Sequence, residues 1–188
     1  MDEFGYLSVL LSIILGLAVT QILVGIRGCL LTRARVHGFW PVHLWGAFFL
    51  LVSTQIWWAM FGLRNRHEWN FSAYAILLAQ VITLYLLAGL IYPDFVLDQK
   101  VDLRAHYFRQ RRHFFSLCVI LLLISISRDL VLNHALPAPL NLEFQLTFIA
   151  FAVTGILFAR EWYHKLAAVI VAVMFVIYVV TLFTRLPY

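Results

Sequence analysis

Six stretches of the chain are apolar over most of their length, and short segments rich in charged residues, Pro and Asn separate them. A helix needs about 20 mostly apolar residues to cross a bilayer. The pattern therefore predicts an all-α fold, a polytopic membrane helix bundle of six transmembrane helices in a single transmembrane domain over residues 1–188. The predicted spans are residues 6–26, 41–63, 71–92, 114–132, 144–159 and 166–186.

The composition supports a lipid environment. The chain is 63% hydrophobic and 12% charged, whereas a soluble domain is typically about half apolar and a quarter charged. So few charges cannot cover a surface that faces water. The net charge of +5 comes from basic residues spread over short loops, which argues against a nucleic-acid partner and leaves the lipid bilayer as the main one.

The basic residues also predict an orientation, because short cytoplasmic loops are enriched in Lys and Arg. With six spans, most of them fall on one side of the membrane, which we expect to be the cytoplasmic side. With this orientation, both termini lie on the outer, non-cytoplasmic side of the membrane. We expect a multi-pass protein of the plasma (inner) membrane. This basic side holds Arg27, Arg33, Arg35, Lys100, Arg104, Arg109, Arg111, Arg112, Arg160 and Lys165, and the other side holds Arg64, Arg66 and Arg185.

The longest connection, residues 93–113, lies between the third and fourth spans. Leu97, Val101 and Phe108 would share one face of a helix, so we expect an interfacial helix on the membrane surface. The alternative is a cytoplasmic extension of the fourth helix whose charges only set topology. Basic residues beside a span attract anionic lipid headgroups or a protein partner on the cytoplasmic face, and the candidates are Arg104, Arg109, Arg111 and Arg112.

Small residues recur at every fourth position of the first span. Small residues at this spacing allow helix backbones to approach closely. We expect the stripe to be an internal packing seam of the bundle, with a dimerisation face as the alternative, and we expect the protein to be a homo-oligomer. The stripe consists of Ser8, Ser12, Gly16 and Thr20.

Two charged residues, Arg128 and Asp129, stand near one end of the fourth span. The uncharged stretch that precedes them is about 22 Å long as a helix, which is shorter than the hydrocarbon core of about 30 Å. Neighbouring residues point about 100° apart on a helix, so we expect each charge to find a partner on another element. Intramembrane charges suggest function, and the alternative is that Arg128 snorkels to the interface.

Three further polar residues extend this idea. Gln55 and Gln80 fall inside predicted spans, and Ser125 shares a helix face with Asp129. Together with Arg128 they would line a polar pathway in the outer half of the bundle. The alternative is that each glutamine makes an interhelical hydrogen bond worth on the order of 1 kcal/mol.

Histidines and tryptophans offer weaker hypotheses. Haem ligation would use His43, His113 or His164, but the seven histidines show no close ligand spacing. We expect no metal and no cofactor, with haem or quinone as the alternative. The tryptophans at the ends of the second span predict an aromatic belt or the wall of a ligand site, and these are Trp40, Trp45, Trp57 and Trp58.

Three segments resemble a family of small bacterial six-span inner-membrane proteins that has no assigned activity. They are FGYLSVLLSIILGLAVTQIL, WWAMFGLR and DLRAHYFRQRRHFF, and they lie in the first two thirds of the chain. The resemblance implies a bacterial inner membrane and transfers no site residues.

The leading hypothesis is a small oligomeric channel or transporter, because an intramembrane charge pair lies beside amides within the spans. The second is a non-conducting membrane subunit or effector that docks a partner or anionic lipid through its basic segment. The third is a membrane redox protein. No motif in the sequence favours an enzyme.

Overall fold

The computed structural model describes residues 3–31, 36–66, 69–95 and 100–182. The described ranges contain six helices that are long and apolar enough to cross a membrane, which confirms the predicted all-α class and helix number. The helices are α1 Glu3–Leu31, α2 Trp40–Met60, α3 Phe71–Ile91, α4 Leu103–Asn133, α5 Pro139–Leu157 and α6 Glu161–Leu182. Arg33, Arg35, Leu97 and Arg185 lie outside the described residues.

Local sequence explains where several helices begin and end. Asn70 and Asp102 each accept a hydrogen bond from the backbone N–H three residues later, at 2.8 and 2.9 Å, and so cap α3 and α4. Pro139 starts α5, where its missing N–H costs no hydrogen bond. His134 ends α4 in the left-handed conformation, with a φ of 51°.

The helices form a closed ring. Going around it, α1 packs on α3, α3 on α4, α4 on α5, α5 on α6, α6 on α2 and α2 again on α1. Helix α2 also contacts α3 across the ring. The space beside α1 is therefore filled, and the remaining inner space lies between α2, α4, α5 and α6. The C-terminal ends of α1, α3 and α5 and the N-terminal ends of α2, α4 and α6 lie at the same end of the bundle, called here the basic end.

The outer surface of the ring is apolar. Leu17, Leu123 and Val176 expose 50%, 50% and 51% of their surface, and they are typical of the outward faces of their helices. Water would solvate such a surface poorly, whereas hydrocarbon solvates it well. The surface is therefore that of a multi-pass membrane protein. Its orientation relative to the cytoplasm stays a prediction.

The segment between α3 and α4 differs from the prediction. Val101 and Asp102 form a short strand, β2 (Val101–Asp102), which pairs in parallel with β1 (Val36–His37). Helix α4 begins directly afterwards at Leu103, and Phe108 packs between Phe39 and His164. The described part of this segment contains no interfacial helix, because its apolar side chains are used inside the bundle. The structure instead has the alternative, an extension of the fourth helix, because α4 begins at Leu103 and the predicted span begins only at residue 114.

The small-residue stripe of α1 also differs from the prediction. Ser12, Gly16 and Thr20 are exposed, and Ser8 is half-buried. The buried face of α1 is formed by Leu11, Leu15, Ala18, Ile22, Gly25 and Cys29. The stripe is therefore not an internal seam, because a different and more apolar face of α1 packs into the bundle. The dimerisation alternative stays a prediction.

Tyr92, directly after α3, fixes the approach of three helices. Its ring lies against Gly25 of α1 and Gly46 of α2, where an added Cβ would overlap ring atoms. Its hydroxyl lies 3.3 Å from Nδ1 of His43. The two glycines leave the space that this buried tyrosine occupies.

Gly25→Ala should lower the melting temperature of the purified protein, because the new methyl group overlaps the Tyr92 ring and overpacking costs about 1–3 kcal/mol. Gly16→Ala is the matched control on the same helix, since a Cβ there meets nothing within 4 Å. It should leave the melting temperature unchanged or raise it, because Ala favours a helix over Gly. Equal melting temperatures of the two variants would contradict the packing of Tyr92.

Candidate functional site

A cavity of about 110 Å³ lies inside the ring, between α2, α4, α5 and α6, and Gln80 of α3 completes its wall. It occurs where α2 and α4 face each other across the ring. For comparison, an apolar cavity of about 150 Å³ in another protein holds benzene. The cavity is therefore of the size of one small organic molecule or a few waters.

Aromatic side chains form a large part of the wall. Trp45 packs edge to face on Phe115 and on the neighbouring Phe114, with ring centroids 5.7 and 5.4 Å apart. Phe48 and Phe175 close another side, with centroids 4.9 Å apart. Trp45 and the phenylalanine rings around it narrow the cavity toward the basic end.

Polar side chains line the other part of the cavity. The three uncharged residues predicted for the pathway, Gln55, Gln80 and Ser125, all lie on its wall. They are joined by Gln145 and Tyr178, which the sequence analysis did not single out. The polar groups lie toward the C-terminal ends of α2, α4 and α6. The expected polar pathway is thus a mainly apolar cavity that is polar in the half farther from the basic end.

Arg128 and Asp129 bind each other, contrary to the expectation that each pairs with another element. Arg128 Nη2 lies 3.3 Å from Asp129 Oδ1, because the long arginine side chain reaches back to its neighbour. Arg128 Nη1 also donates a long hydrogen bond of 3.4 Å to Gln80 Oε1. The two side chains are only 21% and 15% exposed. They lie behind the cavity wall, and Gln80 connects them to it.

A second polar group centres on Asn141 at the start of α5. Its Oδ1 accepts hydrogen bonds from Gln145 Nε2 at 3.0 Å and from the Tyr178 hydroxyl at 3.1 Å. Asn141 precedes the predicted fifth span, which begins at residue 144, whereas α5 already begins at Pro139. Recognition of Pro139 as a helix start would have placed Asn141 and Gln145 on one helical face.

The four arginines proposed for docking have different environments. Arg111 is buried and donates to the backbone carbonyls of Gly155 and Phe158 at the end of α5. A cation there compensates the last carbonyls of that helix. Arg111 is consequently not available to a lipid or partner, which corrects its assignment as a docking residue.

The remaining three arginines stay on the surface. Arg104 Nε binds Glu161 Oε2 at 2.7 Å, and Lys165 binds the other oxygen of Glu161, also at 2.7 Å. This pairing joins the beginnings of α4 and α6. Arg109 and Arg112 are exposed and have no acidic partner among the residues that the structure describes.

The histidines proposed as haem ligands lie apart. His164 is fully buried and uses both ring nitrogens, with Nε2 donating to the Phe158 carbonyl at 2.8 Å and Nδ1 accepting from the Tyr107 hydroxyl at 2.9 Å. His43 bonds Tyr92, and His113 is exposed. Within the described ranges, no three His, Cys, Asp or Glu residues are grouped so that they could hold a metal ion.

Some tryptophans of α2 have the exposure expected of an aromatic belt, and one belongs to the wall of a cavity. Trp40 and Trp57 are 47% and 60% exposed near opposite ends of the helix, where an aromatic belt is expected. Trp45 is buried and belongs to the cavity wall.

Fold and site together define a six-helix protein with membrane-spanning helices around an internal aromatic cavity. No protein family, curated protein or solved structure matches the chain. The resemblance to small bacterial inner-membrane proteins stays a prediction.

Arg111→Leu should destabilise the protein by about 2 kcal/mol or more, because it removes the donors that satisfy the buried carbonyls at the end of α5. Arg112→Leu is the matched control, since the neighbouring side chain is exposed and its loss should cost less than about 0.5 kcal/mol. Thermal unfolding in detergent measures both. A loss for Arg112→Leu as large as that for Arg111→Leu would contradict the capping role.

Proposed function

We propose that the protein is a small membrane transporter that holds its substrate in the central cavity. The observation that carries this proposal is the cavity itself, which lies within the span of five helices and combines an aromatic wall with uncharged polar groups. Binding sites for small molecules are typically apolar and contain a few convergent polar groups. A bundle with a purely structural role has no need of such a space.

A transporter fits this geometry better than an ion channel. An ion pathway needs polar groups along its whole length to replace the ion's water. Toward the basic end, the cavity is bounded by packed aromatic rings, which carry no charged group. These rings belong to Trp45, Phe49, Phe114 and Phe115. A substrate held against these rings would need them to move before it left on that side.

The charge pair has a supporting role in this proposal. Arg128 is neutralised by Asp129 and bonds the Gln80 oxygen. A guanidinium group only donates hydrogen bonds, so it fixes the orientation of the Gln80 amide. The pair thereby fixes the orientation of one polar group of the cavity wall, although neither Arg128 nor Asp129 lines the cavity.

Access to the cavity from each membrane face tests the proposal. In a variant with Cys29 and Cys118 replaced by Ala, Ser125→Cys should react with a membrane-impermeant thiol reagent from both faces, because a transporter opens its site alternately to the two sides. Leu123→Cys is the control, since Leu123 is 50% exposed on the outer surface of the bundle and would be shielded by lipid. Oriented membrane vesicles and mass spectrometry measure the modification.

Reaction of the Ser125→Cys variant from a single face would contradict translocation and leave a binding protein. Protection from both faces, together with modification after denaturation, would contradict any water-accessible cavity.

A second candidate function is docking of anionic lipid headgroups at the basic end. The observation in its favour is that Arg109 and Arg112 lie exposed on one helix, without an acidic partner in the described parts of the chain. Each basic residue near an anionic membrane surface contributes about 1 kcal/mol. A protein partner with an acidic surface is the alternative occupant.

Charge reversal at both positions, Arg109→Glu with Arg112→Glu, should strongly reduce the phosphatidylglycerol that copurifies with the protein, because attraction becomes repulsion. Native mass spectrometry counts the bound lipids. The control is Arg27→Glu, an exposed basic residue on α1. Unchanged lipid binding by the double variant would contradict this candidate and favour a protein partner or only a topological role.

A further inference from the structure

The cavity contains a buried hydrogen-bond acceptor without a donor. Gln145 is 3% exposed and lies on the cavity wall. Its Nε2 donates to Asn141, but its Oε1 has no hydrogen-bond partner among the described residues. Leaving a buried amide oxygen unpaired destabilises a protein. A donor supplied by a bound molecule would recover that free energy.

Gln80 presents the complementary group. Because Arg128 occupies its Oε1 and can only donate, the other end of the amide is the Nε2 donor. Gln80 is 4% exposed and lines the cavity, and no described residue accepts a hydrogen bond from this nitrogen. Gln145 on α5 thus has an unpaired acceptor and Gln80 on α3 an unpaired donor, and Trp45 Nε1 is a further buried donor of the lining residues without a described partner.

The rest of the wall restricts the molecule that would use these groups. None of the residues that line the cavity is Asp, Glu, Lys, Arg or His. An ionised ligand would lose its hydration without gaining an opposite charge on the wall, which is strongly unfavourable. The aromatic side chains favour a flat, apolar body instead. The volume of about 110 Å³ suits a single ring.

We propose that the cavity binds a neutral, single-ring molecule whose one polar head both donates and accepts a hydrogen bond, as a phenol or an aromatic alcohol does. The head donates to Gln145 Oε1 and accepts from Gln80 Nε2, while the ring lies among the phenylalanines and Trp45. This inference names the substrate class of the proposed transporter and rests on that function for its biological meaning, but binding itself is measured separately.

Four fluorinated probes of similar size test the proposed head. 4-Fluorophenol donates and accepts, 4-fluoroanisole only accepts, 4-fluorotoluene does neither, and 4-fluorobenzoate carries a charge at pH 7. Binding is followed by fluorine NMR of the full chain in detergent micelles, and empty micelles correct for partitioning. We expect 4-fluorophenol to bind about tenfold more tightly than 4-fluoroanisole, since one net hydrogen bond has this effect, and to exceed 4-fluorotoluene, which lacks both hydrogen bonds, by more.

The same series with Gln145→Leu identifies the residue. The preference for 4-fluorophenol over 4-fluoroanisole should fall to about one, because the acceptor is gone and both probes can then only accept a hydrogen bond from Gln80. Gln21→Leu is the matched control, since Gln21 is an exposed glutamine of α1 outside the cavity, and it should keep the tenfold preference. The wild-type series does not depend on the folding of either variant.

Equal affinities of the wild type for 4-fluorophenol and 4-fluoroanisole, or saturable binding of 4-fluorobenzoate, would overturn the inference. An undiminished preference in a folded Gln145→Leu protein would overturn the assignment of the head to Gln145. Two-sided reactivity of Ser125→Cys without probe discrimination would leave transport standing and reject this substrate class. Discrimination among the probes, together with reactivity of Ser125→Cys from a single face, would reject transport and leave this class of ligand standing.

Discussion

An exterior that faces hydrocarbon is the constraint on which the rest of the structure depends. Lipid offers no hydrogen bonds, so polar groups within the spans must find partners inside the protein. Among the described residues, two groups of such side chains are prominent. One is the group around Arg111 and His164 near the basic end, and the other is the group around Arg128 and Asn141 in the far half.

The two groups differ in how fully they are satisfied. At the basic end, His164 uses both ring nitrogens and Arg111 binds backbone carbonyls, so this group holds α4, α5 and α6 together. In the far half, hydrogen bonds bind one end of the Gln80 and Gln145 amides, and the other end has no partner among the described residues, although both side chains line the cavity. Incomplete satisfaction beside an empty volume distinguishes a binding site from polar packing.

Aromatic packing gives the cavity its shape. The rings of α2, α4 and α6 contact one another edge to face around Trp45, Phe48 and Phe175, the arrangement that aromatic pairs prefer. Tyr92 and its facing glycines draw α1 and α2 together on the other side of the ring. Close packing is thus concentrated near α1 and α3, and the open volume lies among α2, α4, α5 and α6.

The sequence by itself determined the class of the protein, because the length and apolar character of the six spans depend only on local composition. It also indicated that Gln55, Gln80 and Ser125 are unusual, since amides and hydroxyls inside spans need partners. It did not determine which helix faces meet. The small stripe of α1 faces outward, Arg111 points inward although Arg112 does not, and Arg128 reaches its own neighbour. These outcomes depend on the order of the helices around the ring and on the conformations of long side chains. Only this tertiary arrangement places Gln145 at the cavity that Gln80 also lines.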